Sequence, residues 1–341
     1  MRPVQLSDRM AEMSQLHPNN CLWLVDQNGI VLYYNLESKQ FETLPSCNQQ
    51  EILFKSVASC KSSLWGVTCD CRLYLYVFSA TNKVVEKLET WENQRWWPAT
   101  GFSSKLLPTD RPGFSNFEGT KATPKDSFKL PSNNWKWKDE DWVIEDWLYA
   151  PDFSLKQFTP EKTMLSLVRK RRHTRTAHYA RMNEWVEIDS MFADRYSDPI
   201  LDVAVGGQEA IQDVNSSQHS RSEDLREARN KNSLAVWVVT VSGKVYFRKN
   251  VCALRPEGTE FVEVPLNEIL ATNNTDDDDA NQQDLKIEEV SKITVNSYGL
   301  VWCLTSCARC LVRLGVTRDN LMGKLLENEQ KLRLSWLVWL I

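Results

Sequence analysis

A tryptophan-led segment occurs four times in this chain of 341 residues, and it constrains the fold more than any other feature. Val or Leu lies two residues after each Trp, Asp or Thr comes next, and a small residue follows six residues after the Trp. The four segments are WLVDQNGIVLYY from Trp23, WGVTCDCRLYLY from Trp65, WVVTVSGKVYFR from Trp237 and WCLTSCARCLVR from Trp302. Apolar alternation on both sides of the small residue predicts two antiparallel strands joined by a tight turn. One such hairpin could be the edge of any β-sheet, but four in register indicate a repeat.

In two of the segments, the small residue is a glycine at a place where a tight turn needs a positive φ. Asn28-Gly29 and Ser242-Gly243 tolerate that conformation. Cys71 and Ala308 occupy the same position in the other two segments. The sequence therefore predicts a hairpin in all four repeats.

A short apolar strand precedes three of the four hairpins, so that the repeat contains three or four strands. These strands are predicted at residues 54–58, 200–205 and 290–295. Trp23 and Trp65 lie 42 residues apart, close to the ~40–45 residues of a four-stranded propeller blade. The last two repeats are further apart because the polar, acid-rich stretch 271–286 separates them, and a second polar stretch, 208–233, precedes Trp237. We therefore predict an all-β fold with a partial β-propeller.

A long insert separates the second and third hairpins. Seven of the 14 tryptophans lie within residues 91–147, interleaved with Pro, Gly and cations, and a basic run follows at residues 169–175. This pattern favours short antiparallel strands and structured loops over helices. Guanidinium groups stacked on indoles can form part of such a core. The residues predicted to stack are Trp91, Arg95, Trp96, Arg111, Trp135, Trp137, Trp142, Arg169, Arg171 and Arg172.

The insert resembles the dysferlin domain of ferlins and of certain peroxins. WENQRW, GFSSKLLPTDRP and LPSNNWKWKDEDW resemble the N-terminal half of that domain, and DWLYAPDF and VRKRRHTR resemble its C-terminal half. Together with the flanking hairpins, the arrangement is similar to the N-terminal part of the tectonin β-propeller repeat family. The chain departs from the pattern at His173, where the family usually carries Trp, and at Met164, near which an aromatic residue is common.

The resemblance and the repeats together predict the domain boundaries. We expect a flexible N-terminus (1–20), tectonin repeats 1 and 2 (21–88), a dysferlin domain (89–180, with halves 89–147 and 148–180), repeats 3 and 4 (181–320) and an atypical tail (321–341). The tail, which ends in LRLSWLVWLI, is expected to be either the start of another blade or an aberrant terminus, in a fragment or a short isoform.

The resemblance implies a non-enzymatic adaptor, peripheral on autophagosome and lysosome membranes. Its dysferlin domain would contact a phospholipid or sphingolipid surface of the sphingomyelin type, and its propeller would bind a protein of the autophagy conjugation complex. Candidate lipid contacts are Trp97, Phe158 and Met164, since exposed apolar side chains beside cations favour docking on a membrane. Structural packing of Trp97 and Met164 is the alternative for those residues. A peroxin or ferlin type of scaffold, in which the insert binds protein, is the alternative function.

Composition and motifs argue against other classes of protein. The net charge of −4 argues against a polycation that coats nucleic acid, and the basic run is more typical of a stacked, ion-paired strand than of a nuclear-import or RNA-binding patch. The first 20 residues lack the apolar run of a secretory signal, and nine irregularly spaced cysteines fit a reducing compartment. Cys303, Cys307 and Cys310 have no obvious fourth zinc ligand, and the acidic stretch 276–279 lacks the spacing of a calcium loop. We expect no catalytic residues, metal or cofactor.

Overall fold

The structure, a computed structural model, places almost all of its regular elements in β-strands. The residues that it describes are 21–36, 38–44, 52–60, 62–79, 84–155, 157–188, 197–207, 234–252, 254–264, 269–270, 289–313, 316 and 336–339. The predicted flexible N-terminus and both polar stretches lie outside these residues, as does most of the tail. Within the described residues, one short 3-10 turn, Lys125–Ser127, accompanies the strands. The all-β prediction is confirmed.

The strands are numbered in chain order. They are β1 (Cys21–Val25), β2 (Val31–Asn35), β3 (Gln40–Thr43), β4 (Phe54–Ser59), β5 (Ser63–Thr68), β6 (Leu73–Val77), β7 (Val85–Trp97), β8 (Gly101–Ser103), β9 (Phe114–Ser115), β10 (Trp135–Trp137), β11 (Val143–Ile144), β12 (Leu148–Ala150), β13 (Val168–Tyr179), β14 (Trp185–Glu187), β15 (Ile200–Gly206), β16 (Ala235–Thr240), β17 (Val245–Arg248), β18 (Phe261–Glu263), β19 (Ile269–Leu270), β20 (Val290–Val295), β21 (Val301–Thr305), β22 (Cys310–Arg313) and β23 (Trp336–Trp339).

The chain divides into two compact units. The first unit comprises Met1–Lys83, Arg181–His219 and Leu225–Ile341, and the second comprises Val84–Ala180 and Ser220–Asp224. The second unit therefore corresponds to the insert. The strand that follows the insert, β14, pairs with β6 and completes the sheet that the insert interrupts.

The described residues of the first unit form four sheets, and each contains one of the repeated hairpins. Their strand orders are β1-β2-β3, β14-β6-β5-β4, β15-β16-β17-β18 and β19-β23-β22-β21-β20. The strands predicted ahead of the hairpins are β4, β15 and β20. The tail strand β23 joins the fourth sheet, antiparallel to β22.

The hairpin turns have a positive φ at the small residue, at Cys71 and Ala308 as well as at the two glycines for which it is predicted. The φ angles are 81° at Gly29, 64° at Cys71, 78° at Gly243 and 61° at Ala308. At the two glycines a Cβ atom would also crowd the next sheet, lying 3.0 Å from Leu53 Cβ at Gly29 and 2.6 Å from Glu289 Cα at Gly243. Gly29 and Gly243 therefore allow both the positive φ of the hairpin turn and the close approach of the next sheet.

Consecutive sheets of the first unit pack against each other in chain order. The first packs its Trp23 face on Leu64, Tyr76 and Phe78 of the second. The strand β15 of the third sheet lies against β4 and β5 of the second. The third packs its Trp237 face on Val301, Cys303 and Leu311 of the fourth. The first and third sheets thus use their tryptophan faces to cover the opposite face of the sheet that follows.

The second unit is a seven-stranded sheet built around two long strands. Its main order is β10-β13-β7-β8, while β11 and β12 also pair with β13 and β9 pairs with β7. The ladder between β7 and β13 is antiparallel and runs from Val168 opposite Arg95 to His178 opposite Val85. This ladder carries the basic run and most of its partners.

Candidate functional site

The basic strand β13 presents alternate residues to opposite faces of the sheet of the second unit. Directly opposed residues of an antiparallel pair share a face. Lys170 lies opposite Asn93, and Arg171 lies opposite Glu92. Strand alternation therefore separates Lys170 from Arg169 and Arg171, although the three are adjacent in sequence.

On one face, Trp147 holds two guanidinium groups against its indole ring. The Arg169 Cζ atom lies 3.9 Å from the ring centroid and the Arg171 Cζ atom lies 4.3 Å from it. Arg169 Nη2 also donates to Gln94 Oε1 at 2.6 Å, and Arg171 Nε donates to Glu92 Oε2 at 2.7 Å. Trp147 is thus the centre of a cation–π stack that the sequence analysis did not single out.

On the opposite face, Lys170 is buried in a cage of three aromatic rings. Its ammonium lies 4.6 Å from the ring centroids of Trp91, Phe117 and Phe158. The side chain is only 5% exposed, and burial lowers the pKa of Lys170 to about 8, with a further lowering by the Arg111 charge. The three rings come from β7 and from two loops, so the buried ammonium of Lys170 connects these three segments.

Strand alternation was the available signal for this lysine. Val168 is apolar and fully buried, and Lys170, two residues later, faces the same side. The sequence alone did not indicate that Lys170 is buried, because the neighbouring arginines make the whole run resemble one solvated basic strand.

Arg95 connects two loops at the end of the same ladder. Its Nε donates to Asp110 Oδ2 at 2.7 Å, and its Nη2 donates to Asp152 Oδ2 at 3.3 Å. Burial of Asp110 opposes its ionisation, but the hydrogen bonds from Arg95 and from the Leu107 N–H outweigh this and hold the pKa of Asp110 below its ordinary value. Arg111 lies on the neighbouring rings, 5.7 Å from Phe153 and 5.6 Å from Phe158.

The remaining residues that were predicted to stack differ in whether they contact a cation, another ring or an acidic partner. Arg175 Cζ covers Trp137 at 4.2 Å, and Lys125 Nζ lies 5.8 Å from Trp142. Trp135 is buried edge-on against Tyr179 at 6.0 Å. Two other predicted residues have no ring–cation contact in the described part of the chain: Trp96 is partly exposed, and Arg172 pairs with Glu89 and Glu145.

His173 occupies a buried site between the strands, where the family usually has Trp. Its Nε2 lies 3.0 Å from Glu92 Oε2, and its ring meets Phe114 edge-on at 5.6 Å. Burial and the Lys125 charge lower the pKa of His173, although Glu92 opposes them. An imidazole thus fills this place with a hydrogen bond as well as a ring contact.

An exposed apolar turn lies at the Arg95 end of the ladder. Ser166 N donates to Thr163 O at 3.1 Å, and Thr163 N donates to Ser166 Oγ at 2.9 Å. This turn projects Met164 and Leu165, which are 101% and 72% exposed. We call these two residues the apolar tip. Leu165 was not identified from the sequence, although its position beside Met164 in a polar loop offered a signal.

The strand end that carries Trp97 lies at the same end of the sheet as the apolar tip. Trp96 N donates to Leu167 O at 2.8 Å. Trp97 is half-buried, its Nε1 donates to Lys105 O at 2.7 Å, and Lys105 Nζ lies 5.4 Å from its ring. Lys162, two residues before Met164, lies 5.5 Å from the Phe102 ring. Two ammonium groups therefore accompany the tip.

The three candidate lipid contacts are thus placed differently. Met164 is fully exposed, and Trp97 is tied to Lys105. Phe158 is partly buried, and it packs on the cluster of Ala150, Phe153 and Val168. Because Phe158 also forms part of the cage around Lys170, it contributes to the core of the unit.

The described part of the chain contains no evident metal-binding cluster. His, Cys, Asp and Glu form no group there that could hold a metal ion. Cys303 is buried, which raises the pKa of its thiol, whereas Cys307 is exposed. The described residues also contain no helix with the length and apolar character needed to cross a bilayer.

Comparison with known proteins supports the repeat and, more weakly, the insert. The propeller family Hyd_WA matches residues 235–259, which contain the third hairpin. The tectonin beta-propeller repeat-containing protein 1 of Gallus gallus is 34% identical over 255 residues, which are 71% of this chain and 20% of that protein. The Homo sapiens protein of the same name is 32% identical over 72% of this chain and 20% of its own length.

A peroxisomal protein matches a shorter part of the chain. The peroxisomal membrane protein PEX32 of Saccharomyces cerevisiae is 33% identical over 105 residues, covering 27% of this chain and 25% of that protein. The chain spans about a fifth of the length of the tectonin relatives that it matches. The sheets, the family match and these relatives show that the chain is homologous to tectonin β-propeller repeat-containing proteins over about 70% of its length.

Proposed function

We propose that this chain is a non-enzymatic adaptor whose second unit docks on a membrane through the apolar tip. The supporting observation is the exposure of two adjacent apolar side chains on a turn held by backbone and serine hydrogen bonds. Such a tip loses water contact when it enters the interface of a bilayer. A fixed turn also loses little conformational entropy on docking.

The magnitudes fit a weak and reversible attachment. Burying Met164 and Leu165 contributes roughly 1.5–3 kcal/mol for each side chain. Lys105 and Lys162 would each add about 1 kcal/mol on an anionic surface. The gross sum is offset by the cost of association, so the tip supports transient contact with the membrane.

The aromatic rings themselves are less available to a lipid. Trp91, Trp137 and Trp147 each carry a cation of the protein, from Lys170, Arg175 and the Arg169–Arg171 pair. A choline headgroup would compete with these internal cations for the same rings. Contact through the tip therefore fits the structure better than capture of the headgroup in a cage.

The membranes, the lipid and the protein partner in this proposal come from the family resemblance. We assign the chain to peripheral attachment on autophagosome and lysosome membranes, with a sphingomyelin-type lipid under the second unit. The sheets of the first unit would bind a protein of the autophagy conjugation machinery. The homology with tectonin β-propeller repeat-containing proteins supports this assignment.

Flotation on vesicles tests the lipid half of the proposal. The full chain is mixed with phosphatidylcholine vesicles with and without sphingomyelin, and the floated protein is quantified. More protein is expected on the sphingomyelin vesicles. Equal recovery from both would remove the lipid preference, and absence from both would overturn docking on these membranes.

A protein-binding role of the second unit is the second candidate function. The match to a peroxisomal membrane protein over 105 residues favours it. In that case the unit would recruit the chain to a protein scaffold such as that of a peroxin or ferlin. The tagged chain would then localise to peroxisomes, whereas the favoured function predicts recruitment to lysosomes after membrane damage.

A further inference from the structure

The segment that carries the apolar tip contacts the same aromatic ring on both sides of the tip. Lys162, two residues before Met164, places its Nζ atom 5.5 Å from the ring centroid of Phe102. Arg169, four residues after Leu165, places its Cζ atom 4.6 Å from the same centroid. Two cations therefore lie beside one ring, and the exposed side chains of the tip lie between them in the sequence. We call Lys162 and Arg169 the cation pair.

The ring beside the cation pair is held by its own contacts, and so is the guanidinium. Phe102 meets the Tyr149 ring edge-on at 5.7 Å, and Tyr149 lies opposite Arg169 in the sheet. The Nε and Nη2 atoms of Arg169 donate to Gln94 Oε1 at 3.0 and 2.6 Å. In the part of the chain that the structure describes, Arg169 Nη1 donates to no protein acceptor. An anion that reaches this nitrogen would therefore meet a guanidinium whose position is already fixed.

The cation pair differs from the neighbouring arginines because it has no carboxylate partner. Arg171 pairs with Glu92 at 2.7 Å, and Arg172 pairs with Glu89. Among the described residues, no carboxylate lies within ion-pair distance of either member of the cation pair. The charge of the pair is therefore available to an anion from outside the protein.

The position of the cation pair beside the apolar tip indicates the class of anion. When an apolar segment enters the interface of a bilayer, the polar groups next to it lie among the lipid headgroups. The anionic group of a sphingomyelin or phosphatidylcholine headgroup is a phosphodiester. Guanidinium and ammonium groups both donate charge-assisted hydrogen bonds to phosphate oxygens. The two unesterified oxygens of the diester offer one acceptor to each member of the pair.

We infer that the cation pair binds the phosphodiester of a lipid headgroup while the apolar tip lies in the interface. This inference rests on the proposed docking through the tip and adds the chemical group that the protein recognises. It differs from a general attraction of lysines to an anionic surface, because sphingomyelin and phosphatidylcholine carry no net charge. The cation pair thus strengthens docking on a neutral membrane.

Two kinds of neutral vesicle test the inference. One kind contains phosphatidylcholine and sphingomyelin, and the other contains digalactosyldiacylglycerol, a neutral bilayer lipid without phosphate. The Kd of the full chain is measured for each kind by cosedimentation over a range of lipid concentrations. The Kd of the wild type is expected to be at least about fivefold lower on the phosphate-bearing vesicles.

Matched variants separate the cation pair from the net charge of the protein. Lys162→Gln changes an exposed side chain and is expected to raise the Kd about fivefold on the phosphate-bearing vesicles, with no change on the galactolipid vesicles. Lys136→Gln removes the same charge at an exposed lysine near the other end of β13, where Lys136 lies opposite His178, and should bind both kinds like the wild type. Arg169→Gln is a second variant of the pair, and its fold is checked by thermal unfolding.

The possible failures are distinguishable. Equal affinity of the wild type for both kinds of vesicle, or normal binding by Lys162→Gln, would overturn phosphate recognition and leave docking through the tip intact. Absence of binding to both kinds would overturn the docking as well. An equal loss in Lys136→Gln would show an effect of net charge instead of a site. Glycerophosphocholine is the soluble diester control, and if it bound as tightly as the vesicles, the lipid surface would be the wrong source of the phosphate.

Discussion

Replacing Lys170 by Met is expected to stabilise the second unit at neutral pH. Burial lowers the pKa of this lysine from 10.5 to about 8. A shift of this size corresponds to roughly 3 kcal/mol by which the folded state favours the neutral amine. Met fills a similar volume without a charge, but it loses ring contacts of the ammonium that contribute about 0.5–2 kcal/mol. The net gain expected at pH 7 is therefore about 1–3 kcal/mol.

The advantage of the Lys170→Met variant should shrink as the pH rises. Because the folded pKa of about 8 lies below the unfolded value of 10.5, the unfolded chain binds more protons between these pH values. The stability of the wild type therefore rises across that interval, whereas the variant has no group at this position to titrate. The difference between the two proteins should be largest at pH 7 and smaller at pH 9.

Hydrogen exchange of the β7 and β13 amides measures this difference locally. Both proteins are compared at the same pH by mass spectrometry, so the intrinsic exchange rates cancel. Lys136→Met is the matched control, because Lys136 is exposed in the same unit and its replacement should change protection little. Faster exchange of both strands in Lys170→Met at pH 7 would refute the reasoning, and would show that the ring contacts outweigh the cost of burying the charge.

Three further changes test other contacts of the second unit. Asp110→Asn removes the charged partner of Arg95, a largely buried pair, and should lower the stability of the unit by about 3 kcal/mol in thermal unfolding; an unchanged Tm would contradict a structural role for the pair. Arg169→Lys keeps the charge but loses the planar stack, and should cost about 1 kcal/mol, whereas Arg172→Lys, at a site without a ring contact, should cost less; equal losses would argue against stacking. Burial and the Lys125 charge lower the pKa of His173 from 6.5, so the stability that the neutral imidazole contributes is fully present above pH 6.5 and is lost as the pH falls below it. His173→Gln should therefore flatten the fall in Tm below pH 6.5, and an unaltered pH profile would contradict this.

The repeated hairpins could be predicted because the residues that determine each one are close together in the sequence. Strand alternation and the small residue six positions after each Trp determine the turn. Cys71 and Ala308 share the positive φ of Gly29 and Gly243, although only the glycines indicated it from the sequence. An L-residue pays roughly 1 kcal/mol for that conformation, which the surrounding ladder offsets.

The completion of the second sheet could not be predicted in the same way. The strand β14 has three residues, and its partner β6 lies on the other side of the insert. Such pairing depends on long-range packing, in which Trp185 meets Phe54 with ring centroids 4.3 Å apart. A short segment carries too little periodicity to indicate that partner.

The individual cation–ring pairs also could not be predicted from the sequence. A basic run beside many tryptophans indicates cation–π packing, but it does not say which cation covers which ring. Arg169 and Arg171 both stack on Trp147 because strand alternation in β13 places them on the same face. Phe158 became part of the cage around Lys170 for a similar reason, since the β7–β13 register and the loop path decide which rings surround the lysine.

Vesicle affinity of a Met164→Asp variant tests the membrane role of the apolar tip most directly. Met164 is fully exposed, so the substitution should leave the fold intact while it removes roughly 1.5–3 kcal/mol of apolar burial in the bilayer. The Kd for sphingomyelin-containing vesicles should then rise about 10- to 150-fold. Val143→Asp, at another exposed apolar site of the same unit, should bind like the wild type. Equal affinity of the Met164→Asp variant and the wild type would contradict docking through the tip.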